Sequence, residues 1–148
     1  MNQARILASL RREVRERARE CCEYCLLAES QAFFPHEPDH LIARKHGGRT
    51  TSANLALACF DCNRFKGSDI ASIDPVSSEL VALFNPRTQR WSDHFHLNGG
   101  YIIPLTSVGR VTENLLKLNL HSRVEVRERL AAVGLYPKFG SRARKILS

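Results

Sequence analysis

No apolar run in this 148-residue sequence approaches the roughly 18 residues that a membrane-spanning helix needs. A helical membrane protein is excluded on that ground. The start, Met1-Asn2-Gln3-Ala4-Arg5, leads into an Arg/Glu-rich stretch without the apolar core of a secretory signal, so cytoplasmic residence is expected. In that setting thiols stay reduced, and the five cysteines are not expected to form disulfides. There is no internal repeat, which excludes solenoids, and no low-complexity tract, which argues against a disordered linker. What remains has the composition of a soluble globular chain with enough residues for a single core.

The formal net charge is +7, which favours a polyanionic partner, nucleic acid above all, without proving one. Along the chain, Ile6, Leu10, Val14 and Ala18 recur every four positions and predict an amphipathic helix from Asn2 to about Cys21. Arg5, Arg11, Arg12, Arg15, Arg17 and Arg19 interleave there with Glu13, Glu16 and Glu20. Spacings of three and four make this a self-paired, solvated face rather than a track for phosphates.

From Cys22 to Asp69 the periodicity weakens while Cys, His, Asp, Asn and Gly become dense, the mark of a site-bearing segment. Leu41-Ile42 and Leu55–Ala58 read as two brief strands separated by the turn signal Gly47-Gly48, with a short helix from about Cys62. Turns are signalled at Asp74-Pro75 and Asn85-Pro86. Asn98-Gly99-Gly100, lying between Phe95-His96-Leu97 and Tyr101-Ile102-Ile103, predicts a hairpin. Val111, Leu115 and Leu118 suggest one helix, and Ser122-x-x-Glu125 has the form of a capping box opening another that stops at Gly134. A basic tail follows through Lys138, Arg142, Arg144 and Lys145. The organisation expected is an N-terminal helix over 1–21, a core over 22–69, and an extension over 70–148 packed on that core.

Cys22-x2-Cys25 and Cys59-x2-Cys62 are two knuckles, each able to place two thiolates on one face of a tetrahedral zinc ion. Four soft ligands with no open position make a structural site. The knuckles stand further apart than the roughly 15–20 residues of an ordinary zinc ribbon, so something is inserted between them. Cys21 competes with Cys22 for a ligand place; the x2 spacing favours Cys22, leaving Cys21 as a small buried side chain.

The insert reads Asp39-His40, then Gly47-Gly48, then Asn54-Leu55, and closes on Cys59-Phe60-Asp61-Cys62-Asn63-Arg64-Phe65-Lys66-Gly67. This order resembles the zinc-containing, four-cysteine branch of the HNH endonuclease family and covers Cys22 to Asp69. The resemblance implies an α+β fold with a ββα-metal core. It further implies hydrolysis of DNA phosphodiester bonds to 5′-phosphate and 3′-hydroxyl ends. Asp39 would be a ligand of the catalytic metal and His40 the general base that takes a proton from water. Asn54 would tie the loop between the strands by hydrogen bonds, and Asn63, on the helix, would be the second protein ligand of that metal. Ala43 departs from the family pattern, in which proline commonly follows the strand.

Chemistry asks for the same residue types. A carboxylate and an amide oxygen, with room for water and phosphate, suit Mg²⁺ or Mn²⁺ better than zinc. A histidine with a pKa near working pH accepts a proton without standing ionised. Arg44, Lys45, Arg49, Arg64 and Lys66 surround these positions as candidates to hold the phosphate backbone. His36 and His46 flank the pair as optional ligands. For His94 and His96, packing beside Trp91 and Phe95 competes with ligation. A nucleic-acid-binding zinc module without chemistry is the rival class, against which the intact Asp39, His40 and Asn63 stand. A further arrangement is an accessory nuclease in a phage, restriction or repair system, cutting only when a partner protein presents the strand.

Overall fold

The run Leu55-Ala56-Leu57-Ala58 is buried at all four positions. Successive side chains of a strand point to opposite faces. Strand β2 (Leu55–Ala58) accordingly sends Leu55 and Leu57 to a cluster with Ile6, Val14 and Ala18, and Ala56 and Ala58 to a second cluster that holds four of the cysteines. The computed structural model describes residues 5–139, and this two-faced strand divides its core. The expected helix start at Asn2 and the tail residues Arg142, Arg144 and Lys145 lie outside the described residues.

Helix α1 (Ala8–Arg17) covers the leucine side of β2. It is shorter than its periodicity predicts, because Arg19 and Glu20 take left-handed conformations at φ 55° and 60° that turn the chain towards Cys21. Its arginines are not self-paired. Arg15 binds both oxygens of Glu29 at 2.9 and 3.1 Å and the carbonyl of His36 at 3.0 Å. Arg17 reaches the carbonyls of Ser52 and Leu55 at 3.0 and 2.7 Å, and Arg11 meets Glu37 at 3.0 Å. The helix crosses the first sheet, so its guanidinium groups meet the loop carboxylates and carbonyls beside that sheet before any glutamate of their own turn.

Strand β1 (Glu37–His40) pairs antiparallel with β2, placing Asp39 opposite Ala56 and His40 opposite Leu55. The strand therefore ends just before Leu41-Ile42, where the sequence pattern placed it. One ladder bond continues, from Leu41 N to Asn54 O at 2.9 Å, but at Ile42 the Asn54 side chain takes over from the partner backbone. Helix α2 (Phe60–Lys66) follows β2 directly and completes a ββα unit. It opens at Phe60 rather than Cys62 because Cys59 is its N-cap, Sγ accepting from Cys62 N at 3.4 Å.

The extension contains a hairpin of β3 (Ala71–Ile73) and β4 (Leu80–Ala82), a short helix α3 (Trp91–His94), and a second hairpin of β5 (Phe95–Asn98) and β6 (Tyr101–Pro104). That second hairpin turns at Gly99-Gly100, as its sequence signal predicts. Helices α4 (Ser107–Leu115) and α5 (His121–Ala132) close the described chain, α4 capped by Thr106 Oγ1 accepting from Gly109 N at 3.1 Å. The capping box at Ser122 does not form. Ser122 lies inside α5, whose N-cap is Leu120 and has no side-chain cap bond. Arg123 holds the start of that helix instead, donating to Leu116 O at 2.8 Å and Lys117 O at 3.2 Å.

Phe84, Trp91, Phe95, Ile102, Val111, Leu116 and Tyr136 share one buried cluster with Cys22, Cys25, Cys59 and Cys62. Each large apolar side chain so buried contributes about 1.5–3 kcal/mol. Directional bonds fix the seam: Trp91 Nε1 donates to Tyr24 O at 2.9 Å and Tyr136 Oη to Cys25 O at 2.7 Å. Among the described residues, no helix is long and apolar enough to cross a membrane.

Candidate functional site

The turn after each Cys-x2-Cys knuckle aims backbone N–H groups at sulfur. Tyr24 N and Cys25 N lie 3.4 Å from Cys22 Sγ, as does Cys62 N from Cys59 Sγ. The four sulfurs, all buried, lie within 4.8 Å of one another, and Cys25 Sγ and Cys59 Sγ are 3.6 Å apart. A tetrahedral zinc with Zn–S bonds of about 2.3 Å separates its sulfurs by about 3.8 Å, so the cluster fits that ion. Burial pushes the Cys22 and Cys62 thiols well above their ordinary range. Ionised, four thiolates this close and this dry would need a cation among them, and the set suits a structural zinc. Cys21 lies outside the cluster. It is buried in a β-bridge with Ala28, its thiol pushed up to about 11 by burial.

A cationic side chain approaches the cluster from the extension. Arg123 Nη2 stands 3.1 Å from Cys62 Sγ and 3.6 Å from Cys59 Sγ. Nothing local marked this arginine in the sequence, since the contact closes over a separation of 61 residues.

Beside the cysteines, β1 carries Asp39 and His40 and α2 carries Asn63 and Lys66. Asp39 is buried, accepting from Tyr24 Oη at 3.3 Å and paired with Lys66 Nζ at 3.0 Å. Burial raises its pKa above the ordinary carboxylate value, against the opposing pull of Lys66 and Tyr24. Lys66 Nζ also donates to His40 O at 3.0 Å, stitching α2 to β1. Asn63 is half-buried and, three residues before Lys66, neighbours it on the helix surface.

His40 is half-buried at the end of β1, its Nε2 2.9 Å from Thr50 Oγ1. Among the described residues Nδ1 has no hydrogen-bond partner. Burial is the main cause of a lowered His40 pKa; Arg44 and Lys66 lower it further and Asp39 opposes them. The imidazole is therefore a neutral acceptor near pH 7.

Asn54 binds across the loop that follows β1. Its Oδ1 accepts from Ile42 N at 2.9 Å, and its Nδ2 donates to Ile42 O at 3.0 Å and Arg49 O at 2.8 Å. Gly48 permits this closure: a Cβ there would sit 1.7 Å from Ile42 O and 2.9 Å from Asn54 Nδ2. Gly47, at φ 90°, supplies the left-handed step before it.

Two knuckles around a buried four-thiol cluster thus bracket an antiparallel strand pair, which carries Asp39 and His40, and a helix, which carries Asn63 and is joined to the first strand through Lys66. Residues 22–69 match the family model for HNH endonuclease. No curated protein and no solved structure matches the chain significantly. The HNH segment has the mixed α+β, ββα architecture with a four-cysteine cluster.

Of the basic residues near the HNH segment, Arg44, Lys45, Arg49 and Arg64 are exposed. Lys66 is not: with 2% of its surface accessible it is an internal ion-pair partner, and its expected place on a strand-holding surface is corrected. The physical reason is Asp39, a buried carboxylate that draws the ammonium inward. His36 is fully buried with Nε2 donating to Leu27 O at 2.8 Å, and His46 is exposed on the turn over Arg44–His46. His94 bonds Thr106 Oγ1 at 2.6 Å and packs on Phe84, whereas His96 is exposed. Tyr24 and Thr50 are the neighbours that sequence reasoning missed, since a tyrosine inside a knuckle and a threonine after a turn carry no signal of their own.

Proposed function

We propose that the protein is a metal-dependent HNH endonuclease that hydrolyses phosphodiester bonds in DNA. One observation carries the reading most: His40, its pKa lowered and one ring nitrogen bonded to Thr50, adjoins a buried carboxylate at the strand end against which the Asn63 helix is stitched. The match of residues 22–69 to the HNH model supports it.

In this reading zinc occupies the four cysteines as a structural ion. Asp39, through the Oδ1 left free by Lys66 and Tyr24, and Asn63 would hold Mg²⁺ or Mn²⁺, an oxygen donor pair suited to hard cations. When bound, that ion supplies stabilisation of negative charge on the phosphate and the leaving oxygen. Thr50 accepts the Nε2 proton of His40, which leaves Nδ1 as the base. His40 removes a proton from water while the water oxygen bonds to phosphorus. The bond from phosphorus to the 3′ oxygen breaks, and that oxygen takes up a proton. The products are a 5′-phosphate and a 3′-hydroxyl. Asn54 keeps the loop after β1 closed, and Arg44, Lys45, Arg49 and Arg64 hold the backbone without reading sequence.

The test incubates the protein with plasmid, linear duplex, single-stranded DNA and RNA in the presence of Mg²⁺, Mn²⁺, Zn²⁺ or EDTA. DNA cleavage dependent on Mg²⁺ or Mn²⁺ is expected. His40→Ala should lower the rate by about 10²–10⁴-fold while zinc content and DNA binding persist. Equal cleavage by His40→Ala and the parent would remove the mechanism.

A further inference from the structure

Three phenylalanines on the HNH segment are spent on solvent. Phe33 is 93% exposed, Phe34 47% and Phe60 48%. They are ordered as an array: the rings of Phe33 and Phe34 meet edge to face at 4.9 Å, and those of Phe34 and Phe60 lie 4.7 Å apart at 35°. The array borders an open groove of about 400 Å³ whose apolar floor includes Leu27 and Val126. Exposed aromatic surface of this extent marks a recognition site.

The surroundings identify the occupant. The Arg64 guanidinium lies over Phe60 at 5.6 Å and over Phe65 at 4.3 Å, and Lys117 Nζ lies 5.6 Å from the Phe65 ring. Asp61, an acid on this face, is already engaged by Arg64 at 3.1 Å and Arg123 at 3.8 Å. Through Phe60 the array stands beside the Arg64 guanidinium at the edge of the groove, with Lys117 beyond Phe65, a pairing of aromatic faces with neighbouring cations that binds unstacked bases and their phosphates. Its location fits as well. Phe60 and Asn63 are three residues apart on α2, so their Cβ atoms are about 5–6 Å from each other. A scissile phosphate at Asp39 and Asn63 brings a flanking nucleotide to Phe60.

We infer that Phe60, Phe34 and Phe33 form a stacking platform for the unpaired bases of single-stranded DNA beside the cleavage point, which makes single-stranded or locally opened DNA the preferred substrate. This inference rests on the nuclease reading for the placement of the scissile phosphate. The platform itself rests on the rings and cations.

The experiment uses the zinc-loaded full chain without Mg²⁺ or Mn²⁺, so that no strand is cut. A 2-aminopurine-labelled 20-nucleotide single strand and the matching duplex are titrated with the parent, Phe33→Ala, Phe60→Ala and Phe60→Trp. Phe33 is almost wholly in solvent, so its removal leaves the core intact; zinc content and melting temperature check the others. Each alanine variant is expected to lose about tenfold in affinity for the single strand and less than twofold for duplex, with the 2-aminopurine signal reduced, while Phe60→Trp retains binding. Parent-like affinity for the single strand in both alanine variants overturns the inference, as does equal loss on both substrates. A protein partner captured through this face with strand binding unaltered also overturns it. Cleavage assays with Mg²⁺ separate the two readings. A parent that cuts nothing yet loses stacking in the alanine variants defeats the nuclease reading and sustains the platform. A parent that cuts while the variants bind single strands unchanged does the reverse.

Discussion

Arg123→Met tests whether the extension holds the zinc site together electrostatically. The substitution keeps a long apolar stem and removes the guanidinium. In the parent that group is buried, donates to Cys62 and Cys59 at 3.1 and 3.6 Å, and satisfies the carbonyls of Leu116 and Lys117. A zinc tetrathiolate carries a formal charge of −2, and Arg123 halves it inside a low-dielectric core. Removing one member of a buried charge pair costs about 3–5 kcal/mol, and the two orphaned carbonyls lie within that figure. Against a typical total stability of about 5–15 kcal/mol this is a large fraction, and it corresponds to a fall in melting temperature on the order of 10 °C. Groups that bond to metal ligands tune metal affinity by about 10–100-fold, so zinc should pass to a chromophoric chelator that much more readily. The assay pairs chelator competition with thermal unfolding, and Arg123→Lys, which keeps charge but loses the planar fork, should fall between. A methionine variant that melts within about 2 °C of the parent and retains zinc equally would refute the reasoning.

Other outcomes follow from the same geometry. Cleavage should rise with pH as His40 loses its proton, through a midpoint below the ordinary value of about 6.5, because burial and nearby cations disfavour the imidazolium; a midpoint above 7 in a pH–rate profile contradicts that placement. With Arg44, Lys45, Arg49 and Arg64 as exposed phosphate contacts, DNA affinity should fall about 100-fold between 50 and 200 mM salt, and a filter-binding constant that hardly moves removes the electrostatic account. Ala43 already has the φ of proline, at −62°, and its N–H makes no hydrogen bond among the described residues. Ala43→Pro should therefore add about 0.4–1 kcal/mol of stability, and a lower melting temperature would show that the loop cannot take the ring.

Features with a local cause were legible in the sequence. A Cys-x2-Cys knuckle is one turn of chain, and a hairpin closed by Asn-Gly-Gly needs only its own ten or so residues. The order of Asp39, His40, Asn54 and Asn63 is likewise read along the chain, and the structure brings the first two to a strand end and the last to the adjoining helix. Strand β1 lies earlier than the apolar pair Leu41-Ile42 suggests, because Glu37-Pro38-Asp39-His40 contains poor strand formers. Its extended form is imposed by pairing with β2, a tertiary cause that propensity does not carry. The capping box failed because Arg123 anchors α5 through carbonyls outside the motif. Lys66 reads as a surface residue because a lysine near a basic cluster is ordinarily solvated. Only the burial of Asp39, a consequence of packing against Tyr24 and α2, turns it inward.

The order of causes within the HNH segment shows what the extension does for it. Helix α2 has seven residues, fewer than the roughly 12–15 an isolated helix needs to persist in water. Its N-terminus is held by Cys59 and Cys62, its C-terminus by Lys66 reaching β1, and Asn63 lies between those two anchors. The first anchor depends on four buried cysteines, whose thiolates a zinc ion would only partly neutralise. Arg123, brought in by α5, places its guanidinium against the same sulfurs, while Trp91 and Tyr136 clamp the backbone of the Cys22–Cys25 knuckle. The position of Asn63 relative to His40 is therefore set by residues more than 60 positions away as much as by the motif itself. Truncating the extension would leave the motif's letters in place and remove what aligns them.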